Sequence, residues 1–281
     1  MLSFESIAVE FLTRLPSMSS LLVAAFGIPV SGVVLLFIIM LRSQKITVFC
    51  SLKLLLAGSL SLALAVYLWY DSVARVGASK EGLLAGPLET IVVLVLAWLI
   101  LKERLRQIQL AGVVIALLGF FVTVQSSSQD LRLLFPAMSY GDFEAILSAF
   151  AFAVGVIIMA NLVKIYTPSE VTAASLLISG MILVIIFAVS NPSSLPSAQG
   201  FVFLIFFSLI PLLAALLYIV GLKRIGASLT STIASSNILF TLFFQLVLKG
   251  LGVESNLPHN IQMAALGGVL GMLGIYLIHH E

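Results

Sequence analysis

Residues 78–124, ASKEGLLAGPLETIVVLVLAWLILKERLRQIQLAGVVIALLGFFVTV, decide how this chain is built. They read as two membrane-spanning helices joined by a short basic hairpin, and they hold one acidic residue, Glu89, deep in the apolar run. A carboxylate inside a bilayer is costly, so a functional site is its default hypothesis.

The whole chain has this character. It has 281 residues, of which 61% are hydrophobic and 9% charged, and its mean hydropathy is +1.21. Soluble domains are roughly half apolar and a quarter charged. Apolar runs of about 20 residues recur, each long enough to cross a ~30 Å hydrocarbon core. They are continuous and not alternating, which excludes a porin-like barrel. A net charge of +2, carried in the connections, excludes nucleic acid as a partner. The single cysteine excludes an intrachain disulfide and any cysteine-built metal cluster. The first residues hold Glu5 and Glu10 and lack a basic leader, so no cleavable signal peptide is expected.

Residues 1–16 form a short amphipathic segment. Spans follow at Ser19–Leu41 (with Pro29 inside), Leu54–Val76, Glu81–Leu101 and Ile108–Gln125. Residues 126–140 are polar and turn-rich and read as a linker between a first repeat (1–125) and a second (141–281). The second repeat holds spans at Gly141–Val163, Ser169–Ser190, Gln199–Leu222, Ala227–Leu248 and Ile261–His279. ARVGAS at 74–79 matches KRIGAS at 223–228, and LAGVVIALLG at 110–119 resembles LGGVLGMLG at 266–274. The offset of about 150 residues leaves the first helix of the first repeat short. Either translation starts upstream of Met1, or this helix lies at the interface.

Arg42, Lys45, Lys53, Lys102, Arg104, Arg106, Lys164, Lys223 and Arg224 share one side if the chain weaves regularly. The positive-inside rule makes that side, and the C-terminus, cytoplasmic. The fold class expected is therefore an all-α polytopic membrane protein. Nine clear spans plus a short N-terminal helix form an inverted repeat of about five helices each.

The stretch LLAGPLETIVVLVLAWLILKERLRQIQLAGVVIALLG resembles the repeat of the EamA family, in the drug/metabolite transporter superfamily. Leu88-Glu89 stands at that repeat's "le" position, Lys102-Glu103-Arg104 at its GE region, and Gly112 with Gly119 in its last helix. Thr90 stands where the pattern has proline, and Lys102 where it has glycine. In the second half Ser236-Asn237 falls near the "leP" position. The resemblance implies a ten-helix inverted-repeat carrier that moves small metabolites, amino acids or drugs by alternating access.

Several side chains are candidates for that work. Glu89 lies roughly 12 Å deep by helical rise, with Gly82, Ala85, Gly86 and Val93 on its face. It reads either as a substrate or proton site or as a carboxyl hydrogen-bonded between helices. Asn237, Thr241 and Gln245, four apart, make one polar stripe continued by Thr230 and Ala234. The stripe either lines a wet cavity, with Asn237 facing Glu89 across the pseudo-twofold, or glues helices together. Tyr67, Trp69, Tyr70 and Asp71 cluster at the outer end of their span. Tyr67 and Asp71 share a face, and Tyr218 occupies the corresponding place in the second half. These read as an interfacial belt or as an aromatic wall for an organic cation.

The remaining features read as structural. Glu103, Arg104 and Arg106 form a loop ion network, and Gly267, Gly271 and Gly274 pack helices closely, a homodimer seam being the alternative. His279 and His280 show no further metal ligands. No lysine or arginine lies mid-span; Lys53, Lys80, Lys164, Arg224 and Lys249 all sit at ends. A carrier of phosphorylated sugars would need fixed cations there. The sequence thus points to a secondary transporter, an exporter of amino-acid-like or amphipathic, cationic compounds in the plasma membrane. No cofactor is expected beyond proton coupling, and the partners are a small-molecule substrate and the lipid bilayer. A non-transporting scaffold or partner subunit is the rival. An enzyme is not expected, for want of a nucleophile–base motif or paired carboxylates.

Overall fold

The computed structural model describes residues 1–42, 46–101, 107–126, 138–190, 196–235, 237–253 and 256–279. All regular structure among them is helical. The first half holds α1 (Leu2–Thr13), α2 (Ser20–Leu41), a 3-10 turn (Val48–Ser51), α3 (Leu52–Val76), α4 (Ala78–Leu101) and α5 (Gln107–Gln125). The second holds α6 (Tyr140–Ile165), α7 (Pro168–Val189), α8 (Ala198–Phe207), α9 (Leu209–Ile225), α10 (Ala227–Ser235), α11 (Asn237–Gly250) and α12 (Ile261–His279). Seven helical runs are long and apolar enough to cross a membrane, counting α8–α9 and α10–α11 as one run each. Shorter apolar helices within α5 and α12 bring the passes to nine, and α1 adds a half-length tenth.

Local chemistry places the helix ends. Ser19 caps α2 by accepting from the amide of Leu22 at 3.1 Å. Ser139 with Asp142, and Thr167 with Glu170, form capping boxes that start α6 and α7, the latter with Pro168 in its first turn. Pro211 offers no amide to the Phe207 carbonyl, and the chain divides there into α8 and α9. The Ser208 carbonyl, 3.4 Å from the Leu212 amide, also accepts from the Ser31 hydroxyl of α2.

Packing follows the twofold logic of an inverted repeat. Each of α2 and α5 lies against its own counterpart, α7 and α12, as helices beside a pseudo-twofold axis must. Small residues permit the approach: a Cβ on Gly180 would come within 2.6 Å of the Pro29 backbone, and one on Gly32 within 2.8 Å of the Leu177 amide nitrogen. Gly119, Gly267 and Gly274 do the same for α5 and α12, so these glycines close an intrachain helix pair. Gly77 and Gly226, the matching residues of the ARVGAS and KRIGAS segments, take φ of 89° and 83° between α3 and α4 and between α9 and α10. The same rare conformation at matching points is backbone evidence for the repeat.

Large apolar side chains such as Phe37, Leu60, Leu99, Phe143, Ile185, Phe206 and Phe243 ring the outside, all exposed. A surface of that extent belongs in lipid. One end of the bundle carries Arg42, Lys164 and Lys223, where the Lys223 ammonium donates to the Tyr166 carbonyl at 3.1 Å. The other carries Asp71, Arg75, Lys80, Asp142 and Glu144. We refer to these as the inner and outer ends. α1 has 12 residues against 26 in α6 and covers only the half toward the outer end.

One expectation needs correction. The third span begins at Ala78 and not at Glu81, because Gly77 turns the chain directly into α4; Lys80 and Glu81 are therefore buried helix residues and not loop charges. Lys45, Lys102, Glu103, Arg104, Arg106, His280 and most of the linker lie outside the described residues.

The helix pairing makes a stability prediction. Gly119→Leu should strip α5 from α12 and lower stability by ~1–3 kcal/mol or prevent folding. Gly250→Ala, at a position with nothing within 4 Å, should stay within ~0.5 kcal/mol of the parent. Apparent melting temperatures in detergent separate the two.

Candidate functional site

A cavity of about 160 Å³ lies at mid-bundle, where the α4 helix and the α10–α11 pair cross. At the crossing the hydroxyls of Thr90 and Ser235 lie 2.6 Å apart, and Ser235 donates to the Gly86 carbonyl at 3.0 Å. That carbonyl also accepts from Thr90 at 3.1 Å. The walls are mostly apolar: Val66 of α3, Phe152, Val156 and Met159 of α6, Leu176 of α7, and Ala214 and Ala215 of α9.

Three carboxylates face this apolar space. Glu5 comes from α1, and Glu81 and Glu89 come from α4, eight residues apart on one helix. Glu5 and Glu81 are buried, while Glu89 is partly accessible. Each accepts a hydrogen bond from an aromatic side chain. The Tyr70 hydroxyl donates to Glu5 at 2.6 Å, the Trp69 indole to Glu81 at 3.0 Å, and the Tyr218 hydroxyl to Glu89 at 3.1 Å. No lysine or arginine lines the cavity among the described residues. A carboxylate in an apolar enclosure must be met by a proton or a cation, since burying it bare is prohibitive. Ser6, Ser175, Ser179, Ser235 and Asn237 supply further polar atoms. The arrangement can take an organic cation against the three acids and the Trp69 ring, with hydrogen bonds to spare at the α7 and α11 walls.

The outer end is tied shut above this cavity. Glu10 of α1, buried, accepts from the amide of Ala78 at 2.9 Å, the amide of Asn256 at 2.7 Å, and the side-chain amide of Gln245. It also pairs with Arg14 at 2.5 Å. The Gln245 carbonyl oxygen accepts from the amide of Ser79 at 3.1 Å. The first turn of α4 has amides without helical partners, and α1 and α11 satisfy two of them. Beside it, Lys80 pairs with Asp142 at 2.5 Å, and Arg75 bridges Asp71 at 2.8 Å and Glu144 at 3.1 Å. At the matching inner hinge a Cβ on Gly226 would meet nothing within 4 Å among the described residues, whereas Gly77 lies hard against Asn256.

The structure therefore sorts the candidate residues. Glu89, Tyr218 and Asn237 line the cavity. Thr241 does not; it is buried, and its hydroxyl donates back to the Asn237 carbonyl at 3.0 Å. Gln245 is a strut of the outer tie. Asp71 takes part in the ion network and accepts from Ser20 at 2.5 Å. Tyr67 packs against the apolar core of α1, α2 and α3 without reaching the cavity. Trp69, on the opposite side of α3, is the ring that does. Glu5 and Glu81 are the residues that sequence reasoning missed. The available signal was the company they keep, since each lies in a segment whose following residues are apolar at helical spacing.

The EamA-like transporter family model matches residues 3–125 and 139–279. The chain belongs to the EamA-like transporter family. It is accordingly an integral, multi-pass membrane protein of transporter lineage, and the two matched blocks are the two halves of the bundle. A chain of known crystal structure superposes with a TM-score of 0.67 over 97% of this chain and 94% of its own, at 18% identity. That likeness concerns the fold alone. No curated protein sequence matches.

Removing parts of the tie and of the cavity should have opposite consequences. Glu10→Ala leaves buried amides unmet and should cost about 1–3 kcal/mol. Glu89→Gln keeps the shape and removes a buried acid, so thermal stability should hold or rise. Thermal denaturation of both variants in the same detergent checks this.

Proposed function

We propose that the chain is a secondary transporter for small organic cations and zwitterions, amino-acid-like or amphipathic, and that it works by alternating access as an exporter of the plasma membrane. The observation carrying this reading is the set of three carboxylates around one apolar cavity, unmatched by any basic side chain among the described residues. The same feature speaks against phosphorylated substrates, which need fixed cations.

Mechanistically, Glu89 would hold the substrate amine or exchange it for a proton, and Trp69 would face the cation. Asn237 and the α7 serines would bind its polar end. Two homologous halves of opposite orientation around a midplane site can rock between equivalent states. The tied Gly77 hinge and the Gly226 hinge, which has no described residue within 4 Å of its Cβ position, would be the two ends of such a motion. Energy would come from an ion gradient, as no G-x-x-x-x-G-K-[ST] segment occurs. The positive-inside distribution supports a cytoplasmic Lys223 end and C-terminus.

The test is uptake or release of a panel of amino acids, amines and quaternary ammonium ions in proteoliposomes, with and without a pH gradient. The parent protein should move at least one cationic member, and Glu89→Gln should lose the pH-driven component at least tenfold. Equal flux in that variant would make Glu89 structural. No flux of any compound would favour the scaffold reading.

A further inference from the structure

The three acids of the cavity are not equivalent, and their placement makes two poles. Glu5 and Glu81 share one of them. Their donors, Tyr70 and Trp69, are neighbours on α3 with ring centroids 5.2 Å apart. Glu89 makes the other, held by Tyr218 of α9 and standing eight residues further along α4. Helical rise over that stretch sets Glu81 and Glu89 roughly 12 Å apart. The α4 residues that line the cavity between them are Gly82, Ala85 and Gly86, none with a side chain larger than a methyl group. A Cβ on Gly82 would meet nothing within 4 Å among the described residues, so there is room for a chain lying along α4.

Both poles hold unused hydrogen-bonding atoms. In each acid one carboxyl oxygen takes the aromatic hydrogen bond, and the other makes none among the described residues. Ser6, 3% exposed, lines the cavity beside Glu5, and its hydroxyl has no hydrogen-bond partner among the described residues. Unmet buried polar atoms are costly, so two such places ask for a ligand with donors at two places. A single ammonium serves one pole and leaves the other bare. An alkanediamine carries a cation at each end and methylenes between, and one of the three carboxyls then keeps its proton. Allowing a hydrogen bond of about 2.8 Å at each end of the roughly 12 Å separation leaves about 6 Å between the nitrogens, a reach of about four or five carbons. Resting on the cation reading above, we propose that Glu89 and the Glu5–Glu81 pair are the two ammonium sites of one ligand, and that the cavity selects linear diamines of that length over monoamines.

The experiment uses the full chain in lipid nanodiscs near neutral pH. In a Trp98→Phe background Trp69 is the remaining tryptophan, and its fluorescence reports binding beside Glu81. The ligands are α,ω-diamines and n-alkylamines of matched length, from propyl to octyl. In the parent the ratio of diamine to monoamine affinity should peak near four or five carbons at about tenfold or more, the worth of one charge-assisted hydrogen bond. Glu81→Gln, which keeps an acceptor for the Trp69 indole, should bring that ratio down to about one. Glu5→Gln should lower it by about threefold or more, and serves if the Glu81 variant does not fold. A ratio of about one at every length, a ratio indifferent to length, or one that survives both variants overturns the two-site proposal and leaves the cation reading standing. Failure of every amine to bind, or binding of both classes that ignores Glu89→Gln, overturns that reading as well.

Discussion

Three acids share one small apolar cavity in the middle of a membrane bundle, and most of the architecture can be understood from that constraint. A bare carboxylate there is untenable, so Glu5, Glu81 and Glu89 each carry an aromatic donor from α3 or α9. Those donors oblige α1, α3, α4 and α9 to converge at mid-bundle. The basic side chains that could have neutralised the acids are spent elsewhere: Lys80, Arg75 and Arg14 all pair with other carboxylates at the outer end. The cavity is left with three acids and no paired base among the described residues, an arrangement that a proton or a cation must complete.

The outer tie shows how one end of a nearly twofold bundle is made different from the other. Helix α4 begins immediately after Gly77, so its first amides arrive with no helical partners. Glu10 and Gln245 meet two of them from α1 and α11 and draw three helices together. Among the described residues, nothing lies within 4 Å of where a Cβ on Gly226, the pseudo-equivalent turn, would stand. Two repeats with the same hinge conformation, one clamped and one free, can exchange these roles without new secondary structure. Helix α1 matters here too, because its acids serve both the tie and the cavity.

Much of this was legible in the residues. Glu89 stands out because it is the one charged residue between Gly82 and Leu101, the ARVGAS and KRIGAS segments announce two hinges, and Gly267, Gly271 and Gly274 announce close packing. Other parts were not. Glu5 and Glu81 lie near the ends of their segments, where a charge reads as solvated; only the full-depth start of α4 and the placement of α1 inside the bundle make them cavity residues. The Asn237, Thr241 and Gln245 stripe is correct as a helix face, yet a polar face looks the same whether it meets a cavity or the N-terminus of another helix. Which one it meets depends on a third helix, and pairwise spacing carries no record of that. Tyr67 and Trp69 differ by two positions and so point to different sides of α3, a distinction that their clustering concealed.

The central claim is that the two hinges open in turn around a cation site. It is tested most directly by thiol accessibility in oriented vesicles. With Cys50→Ser removing the single native thiol, Ser79→Cys places a thiol in the first turn of α4 and Ser228→Cys one in the first turn of α10. A membrane-impermeant maleimide should label the Ser228 position and spare the Ser79 position at rest. Added tetramethylammonium should move the two rates in opposite directions. Equal labelling at rest, or rates that ignore the cation or change together, would contradict the account.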